Sequence, residues 1–404
     1  MRNGKLILNI LVLIFLSYGF TGQVPTEEDL AITHGPWLVD PAEDGITVLW
    51  QTNKKCVSRV EYGTGESPQT FPTWGSLVHT AQRSEHGLIE AYTKLHRVRL
   101  EGLKPGLAYR YRVVSKEFLQ FKPYEVIYGQ TVVSDIFGFK TLDRSKKSFS
   151  FGAVTDVHGK SEDLDTLLQQ VNFDPVDLMF LTGDITSWLE NEDQIYDGFL
   201  DVCVERFSKK IPLVYIRGNH ETRGYFARNL LDYFPHLTDR FYYGFTHGPV
   251  YFIVLDTGED KADSHPVYAG LADFDSYREK QKAWLAEEVK KPEFKEALFR
   301  VVVFHIPVFM DSERYAIQDL TAKWGPILNE AGVDLVLNGH MHRFIKKPAE
   351  AGKNNFHNIV LGLNLALTAN VIEEGMDIKV VNNKGQALYE VILKPKKPPI
   401  KERD

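Results

Sequence analysis

The sequence predicts two domains in tandem, an all-β sandwich over residues 24–143 and a layered α/β domain over residues 148–393. Three observations lead there. Short segments in the first third alternate apolar and polar residues, the period of a strand with one buried face. From Ser148 the period changes, and continuous Val/Ile/Leu/Phe runs alternate with helical stretches. That is the pattern of strands buried on both faces and covered by helices. Between the two lies "DRSKKS" (143–148), a polar stretch without apolar period that reads as a linker.

Taken in order, the N-terminus "MRNGKLILNILVLIFLSYGFTGQ" has a positive start at Arg2 and Lys5, an apolar run from Leu6 to Leu16, and small residues after it. This is the pattern of a secretory signal peptide over residues 1–22. The run is too short to span a bilayer, which takes about 20 residues. No Cys follows it, which argues against a lipid anchor. The mature chain is therefore expected to be exported, to a periplasm or to the extracellular space, with no transmembrane segment. With 43% hydrophobic and 12% aromatic residues and a net charge of -7 of well-mixed sign, the composition is globular and carries no nucleic-acid footprint. The two cysteines, Cys56 and Cys203, fall in different domains and read as free buried thiols. The end of the chain, residues 394–404, is a basic Pro-rich tail.

In the first domain, "GITVLWQT" (45–52), "SRVEYG" (58–63), "LHRVRLEGL" (95–103) and "AYRYRVVS" (108–115) read as strands. Gly and Pro punctuate them, and several such strands suggest a sandwich. In the second, "SFSFGAVTD", "VDLMFLTGD", "IPLVYIRGNH", "VYFIVLDTG", "LFRVVVFHIP" and "VDLVLNGHMH" read as buried strands. Helical stretches such as "DLDTLLQQV", "QIYDGFLDVCVERF" and "YREKQKAWLAEEVK" lie between them. Ligands of such sheets sit beyond the carboxyl ends of the strands.

Those ends carry the chemistry. "AVTDVHG" places Asp156 and His158 after a strand, "MFLTGD" Asp184, "VYIRGNHE" Asn219 and His220, "VVVFHIP" His305, and "VLNGHMH" His340 and His342. Glycines at 183, 218 and 339 suggest tight turns that aim these side chains inward. Each residue alone has an ordinary explanation. Asp184 could be a turn residue or helix N-cap, Asn219 an Asx turn, His305 a core histidine bonded to a carbonyl. Recurrence of the same residue classes at the same end of successive strands points instead to one shared site. Two carboxylates, a carboxamide and four imidazoles, with no thiolate, suit Zn, Mn or Fe and are too nitrogen-rich for calcium. They are too many for one open catalytic metal and enough for two. Two divalent ions about 3.5–4 Å apart serve in-line displacement at phosphorus and lower the pKa of a bound water from 15.7 toward roughly 7.

The motifs D-x-H, G-D, G-N-H-E, a lone strand-end H and G-H-x-H, in that order, resemble those of the calcineurin-like metallophosphoesterases. The resemblance covers residues 148–393 and implies a four-layer α/β/β/α catalytic domain. It implies that Asp156, His158, Asp184 and His342 hold one metal, that Asp184, Asn219, His305 and His340 hold the second, and that Asp184 bridges. His220 would not bind metal but would stabilise the transferring phosphoryl group or protonate the leaving oxygen. "HRVRLEGLKPGLAYRYRVVS" resembles a fibronectin type III module, and "THGPWLVDPAEDGITVLWQTN" the N-terminal domain of purple acid phosphatases. Two departures matter. Purple acid phosphatases have a tyrosine ligand three residues after the bridging aspartate, where this chain has Ser187, and they lack a histidine at the place of His158. Ser187 also replaces the aspartate that protein Ser/Thr phosphatases use to orient their catalytic histidine, so what orients His220 is left open.

Arg217, Arg223 and Arg343 flank the motifs and could bind phosphate, or could equally be solvated or sheet-edge arginines. The acidic segment "LDTGEDKADS" (255–264) could shape the pocket or repel anions. The expected function is hydrolysis of a phosphate ester by metal-activated hydroxide, with a monoester favoured. The alternatives are a phosphodiesterase or nucleotidase of the same fold, or a non-catalytic surface binding protein.

Overall fold

The computed structural model describes residues 29–64 and 79–396. The predicted signal peptide and residues 397–404 of the predicted tail lie outside these. Among the described residues no helix is long and apolar enough to cross a membrane.

The first domain is antiparallel throughout. It contains β1 (Ile32–Val39), β2 (Ile46–Gly63), β3 (His79–Ala81), the short pair β4 (Ser84–Glu85) and β5 (Leu88–Ile89), β6 (Ala91–Leu100), β7 (Ala108–Lys122), β8 (Glu125–Val133) and β9 (Phe137–Lys140). The segments 45–52 and 58–63, which read as separate strands, are one strand. The first half of β2 pairs with β1 and β6, and the second half with β3 and β7. Register breaks between Gln51 and Cys56. Such an irregularity bends and twists a strand, and the two halves of β2 serve different neighbours within one seven-stranded sheet. Trp50, Val48, Val60, Val98, Leu100, Tyr111, Val113 and Phe139 form the core of this domain.

The second domain contains β10 (Phe149–Val154), β11 (Val176–Thr182), β12 (Leu213–Ile216), β13 (Tyr243–His247), β14 (Val250–Val254), β15 (Phe299–Val303), β16 (Leu335–Asn338), β17 (Ile345–Lys347), β18 (His357–Val360), β19 (Leu365–Ile372), β20 (Gly375–Asn382) and β21 (Ala387–Leu393). They form two six-stranded sheets, in the orders β12-β11-β10-β19-β20-β21 and β13-β14-β15-β16-β18-β17. The sheets pack face to face through Phe151, Phe180, Phe252, Val301, Leu335 and Leu367. Phe151 and Phe252 meet edge to face at 5.4 Å, the preferred arrangement of aromatic quadrupoles. The helix Ser161–Leu168 and the helical run from Asp193 to Ser208 cover the outer face of the first sheet. The helices Phe274–Glu288 and Tyr315–Glu330 cover that of the second. The last of these was not singled out in the sequence, because Gly325 and Pro326 lower its helical propensity. It forms because Ala316, Ile317, Leu320, Trp324 and Leu328 make one buried stripe.

The domains share a core. Trp37, Val39 and Leu49 of the sandwich lie in one apolar cluster with Tyr196, Phe199, Tyr233 and Phe234. Trp37 Nε1 donates to Tyr233 O at 3.0 Å, and the His34 ring stacks on Tyr196 at 3.7 Å. The linker is exposed along much of its length but anchored at both sides. Arg144 pairs with Glu43 at 2.6 Å, Lys146 with Asp177, and Asp143 N donates to His247 Nδ1 at 3.1 Å. Cys56 and Cys203 are both free and buried. A fragment beginning at Ser148 is expected to bind metal, since every proposed ligand lies within it. It should be poorly soluble, because it uncovers the surface beneath Trp37. Gel filtration followed by elemental analysis checks this; a folded but metal-free fragment would mean that the sandwich completes the site.

Candidate metal centre

Strands β10, β11 and β12 run parallel in one sheet, and β15 and β16 run parallel in the other. Their carboxyl ends meet at one edge of the domain, and the loops that leave them converge. Five of the converging residues have left-handed backbones: Asp156 (φ 55°), His158 (55°), Asp184 (52°), His340 (72°) and His342 (52°). For a residue with a Cβ this conformation is uncommon and costs roughly 1–2 kcal/mol. Strain of this kind gathers where a site over-determines the chain. Gly183 also has a positive φ, 84°. Gly218 and Gly339 do not, so the turn argument fails for them. Their reason is close approach: a Cβ at Gly218 would lie 2.3 Å from Asp184 N, and one at Gly339 2.1 Å from Thr155 Oγ1.

The structure gathers the predicted ligands into two groups. Asp156, His158, Asp184 and His342 form one, and Asp184, His305 and His340 the other, with donor atoms in each group within 4.8 Å of one another. Asp184 belongs to both. Asn219 joins the second group, its Oδ1 lying 3.0 Å from His340 Nδ1. In the first group His158 Nε2 and His342 Nε2 are 3.0 Å apart, and His342 Nε2 is 3.4 Å from Asp156 Oδ1.

The donors are set up for metal. His305 Nδ1 donates to Thr182 O at 2.8 Å, which turns Nε2 toward Asp184, where a bound metal would replace the Nε2 proton. That nitrogen is 3.0 Å from Asp184 Oδ2, yet it has no partner in hydrogen-bond geometry although fully buried. An orphaned buried nitrogen beside a shared carboxylate fits a metal ligand fixed by a backbone carbonyl behind it. Burial works to raise the Asp184 carboxyl, but His305 and then His220 outweigh it and hold it well below the usual carboxylate range. Burial, with His305 adding to it, pushes His340 down to about 4, so it is neutral at neutral pH, the form that ligates. Burial opposes protonation of His305, but Asp184 and Asp156 prevail and push it up to about 10.

Glu221 was missed as a functional residue. Its carboxylate takes N–H bonds from Gly218 (2.8 Å), Asp184 (2.9 Å), Ile185 (2.5 Å) and Thr186 (3.0 Å). It thereby ties the loop after β11 to the loop after β12. Burial, and next the Asp184 charge, push its carboxyl up to about 7, against the pull of those N–H groups. The available clue was a charged residue directly after a ligand motif at a buried strand end.

The open question about His220 is answered by a main-chain atom. Its Nδ1 lies 3.0 Å from Ser187 O, so it carries the proton and donates. Ser187 thus orients His220 through its carbonyl, while its hydroxyl donates to His158 O at 3.1 Å. The His220 backbone N–H donates to Asp184 Oδ1 at 2.9 Å.

Beside the clusters opens a pocket of about 440 Å³ lined by Asp184, Asn219, His220, His340 and His342 together with Asp260, Lys261, Arg314, Tyr315 and Met341. None of Arg217, Arg223 and Arg343 lines it. Arg217 pairs with buried Asp256 at 2.6 Å and rests on the Phe241 ring. Arg343 is exposed. Arg223 lies behind His220, bonded to Glu259. The guanidinium that does reach the pocket is Arg314, with Nη1 3.3 Å from His340 Nε2. No motif marks it, since it sits in an irregular loop after β15. The acidic segment 255–264 shapes the pocket wall, its carboxylates being engaged: Asp256 by Arg217, Glu259 by Arg223 and Asp260 by Lys261 at 2.6 Å.

Residues 149–344 match the calcineurin-like phosphoesterase family, and residues 37–141 the purple acid phosphatase N-terminal domain. Purple acid phosphatase 21 of Arabidopsis thaliana is 24% identical over 265 residues, 62% of this chain and 53% of that protein. Purple acid phosphatase 22 of the same plant is 28% identical over 226 residues, 52% of this chain and 47% of that protein. The chain therefore spans about half the length of these curated relatives. The structure of purple acid phosphatase PPD1 from yellow lupin (Lupinus luteus) seeds aligns with a TM-score of 0.65 at 14% identity, covering 89% of this chain and 74% of that one. That likeness is one of fold.

Proposed function

Since the chain is a calcineurin-like metallophosphoesterase with a purple acid phosphatase N-terminal domain, we propose that it hydrolyses phosphate esters, with monoesters preferred, at the paired clusters that share Asp184. The sharing carries the proposal: one buried carboxylate between two groups of N/O donors is the arrangement that a dinuclear centre needs. Asp156, His158 and His342 would hold one divalent ion, Asn219, His305 and His340 the other, and Asp184 both. Two such ions supply Lewis acidity and a water of lowered pKa. His220, fixed by Ser187 O, faces the reacting phosphoryl group from the pocket wall. Arg314 offers a guanidinium to a non-bridging phosphate oxygen, and a dianionic monoester matches that cation better than a monoanionic diester does. The complete donor set speaks against a purely adhesive role. The apolar N-terminal run supports export. Rates on 4-nitrophenyl phosphate and bis(4-nitrophenyl) phosphate with Mn, Zn or Fe(II) test the proposal. Hydrolysis of neither ester would rule it out, and a faster diester would replace monoester by diester.

The divalent character has its own test. Tyr315 is the one tyrosine among the residues that line the pocket, and it lies beside Asp275. Neutral His158 stands where an anionic phenolate would balance a trivalent ion. Protein loaded with iron and oxidised is expected to be colourless or faintly coloured. An intense tyrosinate-to-iron band in the visible spectrum would show that a tyrosine enters the centre.

A further inference from the structure

We propose that Arg223 and Glu259 form a positioning device for His220, so that Arg223 acts on the reaction through that imidazole and not through the substrate. The inference rests on the reading of the site given above. Glu259 comes from the loop after β14 and is 2% exposed. Its Oε1 accepts from Arg223 Nε at 2.9 Å and Thr222 Oγ1 at 3.0 Å, and its Oε2 from Arg223 Nη2 at 3.1 Å and the Tyr268 hydroxyl at 3.1 Å. The two-point fork fixes the plane of the guanidinium. The remaining nitrogen, Nη1, then stands 3.0 Å from His220 Nε2 and 3.2 Å from Nδ1, across the ring.

On the other side of the ring, Nδ1 donates to Ser187 O at 3.0 Å. Nε2 therefore has the free lone pair, and Arg223, lying across the ring and not in line with that lone pair, leaves it open to the pocket. Ser187 O holds Nδ1, Arg223 Nη1 lies against the ring within 3.2 Å of both nitrogens, and the His158 ring closes a third side edge-on at 4.7 Å. A histidine anchored on one nitrogen alone could turn about its Cβ–Cγ bond. This one is clamped in the tautomer and the orientation that point it into the pocket. An isolated surface ion pair would contribute at most about 1 kcal/mol. Here the carboxylate is buried and five times bonded, the fifth contact coming from Asp260 N–H at 3.2 Å, so the guanidinium has little freedom to swing toward a ligand. Arg314, not Arg223, reaches the pocket.

The test is a double-mutant cycle on the metal-loaded enzyme with 4-nitrophenyl phosphate, with metal content and melting temperature measured for each variant. Arg223→Ala and Glu259→Gln are each expected to lower kcat by roughly 10–100-fold, the usual loss when an outer partner of a site residue is removed, with KM nearly unchanged. Adding either change to His220→Ala should slow the enzyme no further, because residues that act as a unit are not additive. Arg223→Lys should not restore the rate, since an ammonium cannot hold the fork. A second readout uses metal-free protein: the His220 Nδ1–H resonance in a ¹⁵N-histidine spectrum should be sharp in the parent and broadened in Glu259→Gln. Losses that multiply in the double variants, or a rise in KM at constant kcat, would overturn the proposal and make Arg223 a substrate contact. A His220→Ala enzyme with the parent rate would overturn the reading of His220 itself. In that case a spectrum unaltered by Glu259→Gln would overturn the clamp as well, and a broadened one would support it as a structural feature.

Discussion

Asp184→Asn is expected to lower kcat by roughly 10³-fold or more while leaving the chain folded. Losing one electrostatic contact at a reacting centre raises the barrier by about 2.7–4 kcal/mol, and each 1.36 kcal/mol is tenfold in rate. The loss should be at the upper end, because this one carboxylate serves both donor groups. Two divalent cations held close together repel strongly in a buried site, and only a shared anion offsets that. An asparagine keeps an oxygen for the His220 N–H, now 2.9 Å from Asp184 Oδ1, but carries no charge. The variant should therefore hold less metal per chain. The metal-free variant should melt close to the metal-free parent, because two effects oppose. The attraction of Asp184 for His305 is lost, and its repulsion of Glu221 is relieved. Steady-state rates and elemental analysis check this. A variant that keeps both metal and rate would remove Asp184 from the shared role.

Chelation of the metals should lower the melting temperature by roughly 10 °C, and the gap between loaded and metal-free protein should widen from pH 6.5 to 8.5. Ligand linkage stabilises by about 4 kcal/mol when free metal is a thousandfold above Kd, at roughly 2–4 °C per kcal/mol for a domain of this size. The sign of the pH effect follows from groups in the site. Glu221 is raised to about 7 and His305 to about 10 in the metal-free fold. A raised pKa contributes stability that is full below the unfolded value and is lost as pH climbs through the folded one. Both groups therefore weaken the metal-free protein across this window. His340, lowered to about 4, contributes stability that is lost only as pH falls below its ordinary value near 6.5, so it is constant here. Bound cations remove the reason for both raised values. Melting curves with and without chelator at three pH values measure the gap. A gap that narrows with rising pH would show that these buried groups are not protonated in the metal-free state.

The residues gathered at the centre were legible for a physical reason. A strand buried on both faces must be apolar, so a polar run directly after it stands out. In Asp156, His158, Asp184, Asn219, His220, His305, His340 and His342 that contrast recurs at strand after strand. The change of period at Ser148 was legible in the same way, because burial on one face or on two writes a different local pattern. Where two strands are one, as in β2, local pattern misleads, since "TNKK" interrupts the alternation without ending the pairing.

By itself, then, the sequence determined which residue types sit at the ends of buried strands, and so the candidate donors and the class of metal they suit. Only the tertiary structure decided the roles that depend on distance across the fold. It set Glu221 beneath four backbone N–H groups, put the Ser187 carbonyl behind His220, drew Arg217 to Asp256 and brought Arg314, from an unmarked loop, to the pocket. The reason is that periodicity reports whether a side chain is buried, which is a local property of its strand or helix. A hydrogen-bond partner is chosen by the packing of elements remote in sequence, and a backbone carbonyl or N–H has no side-chain identity for a sequence to display.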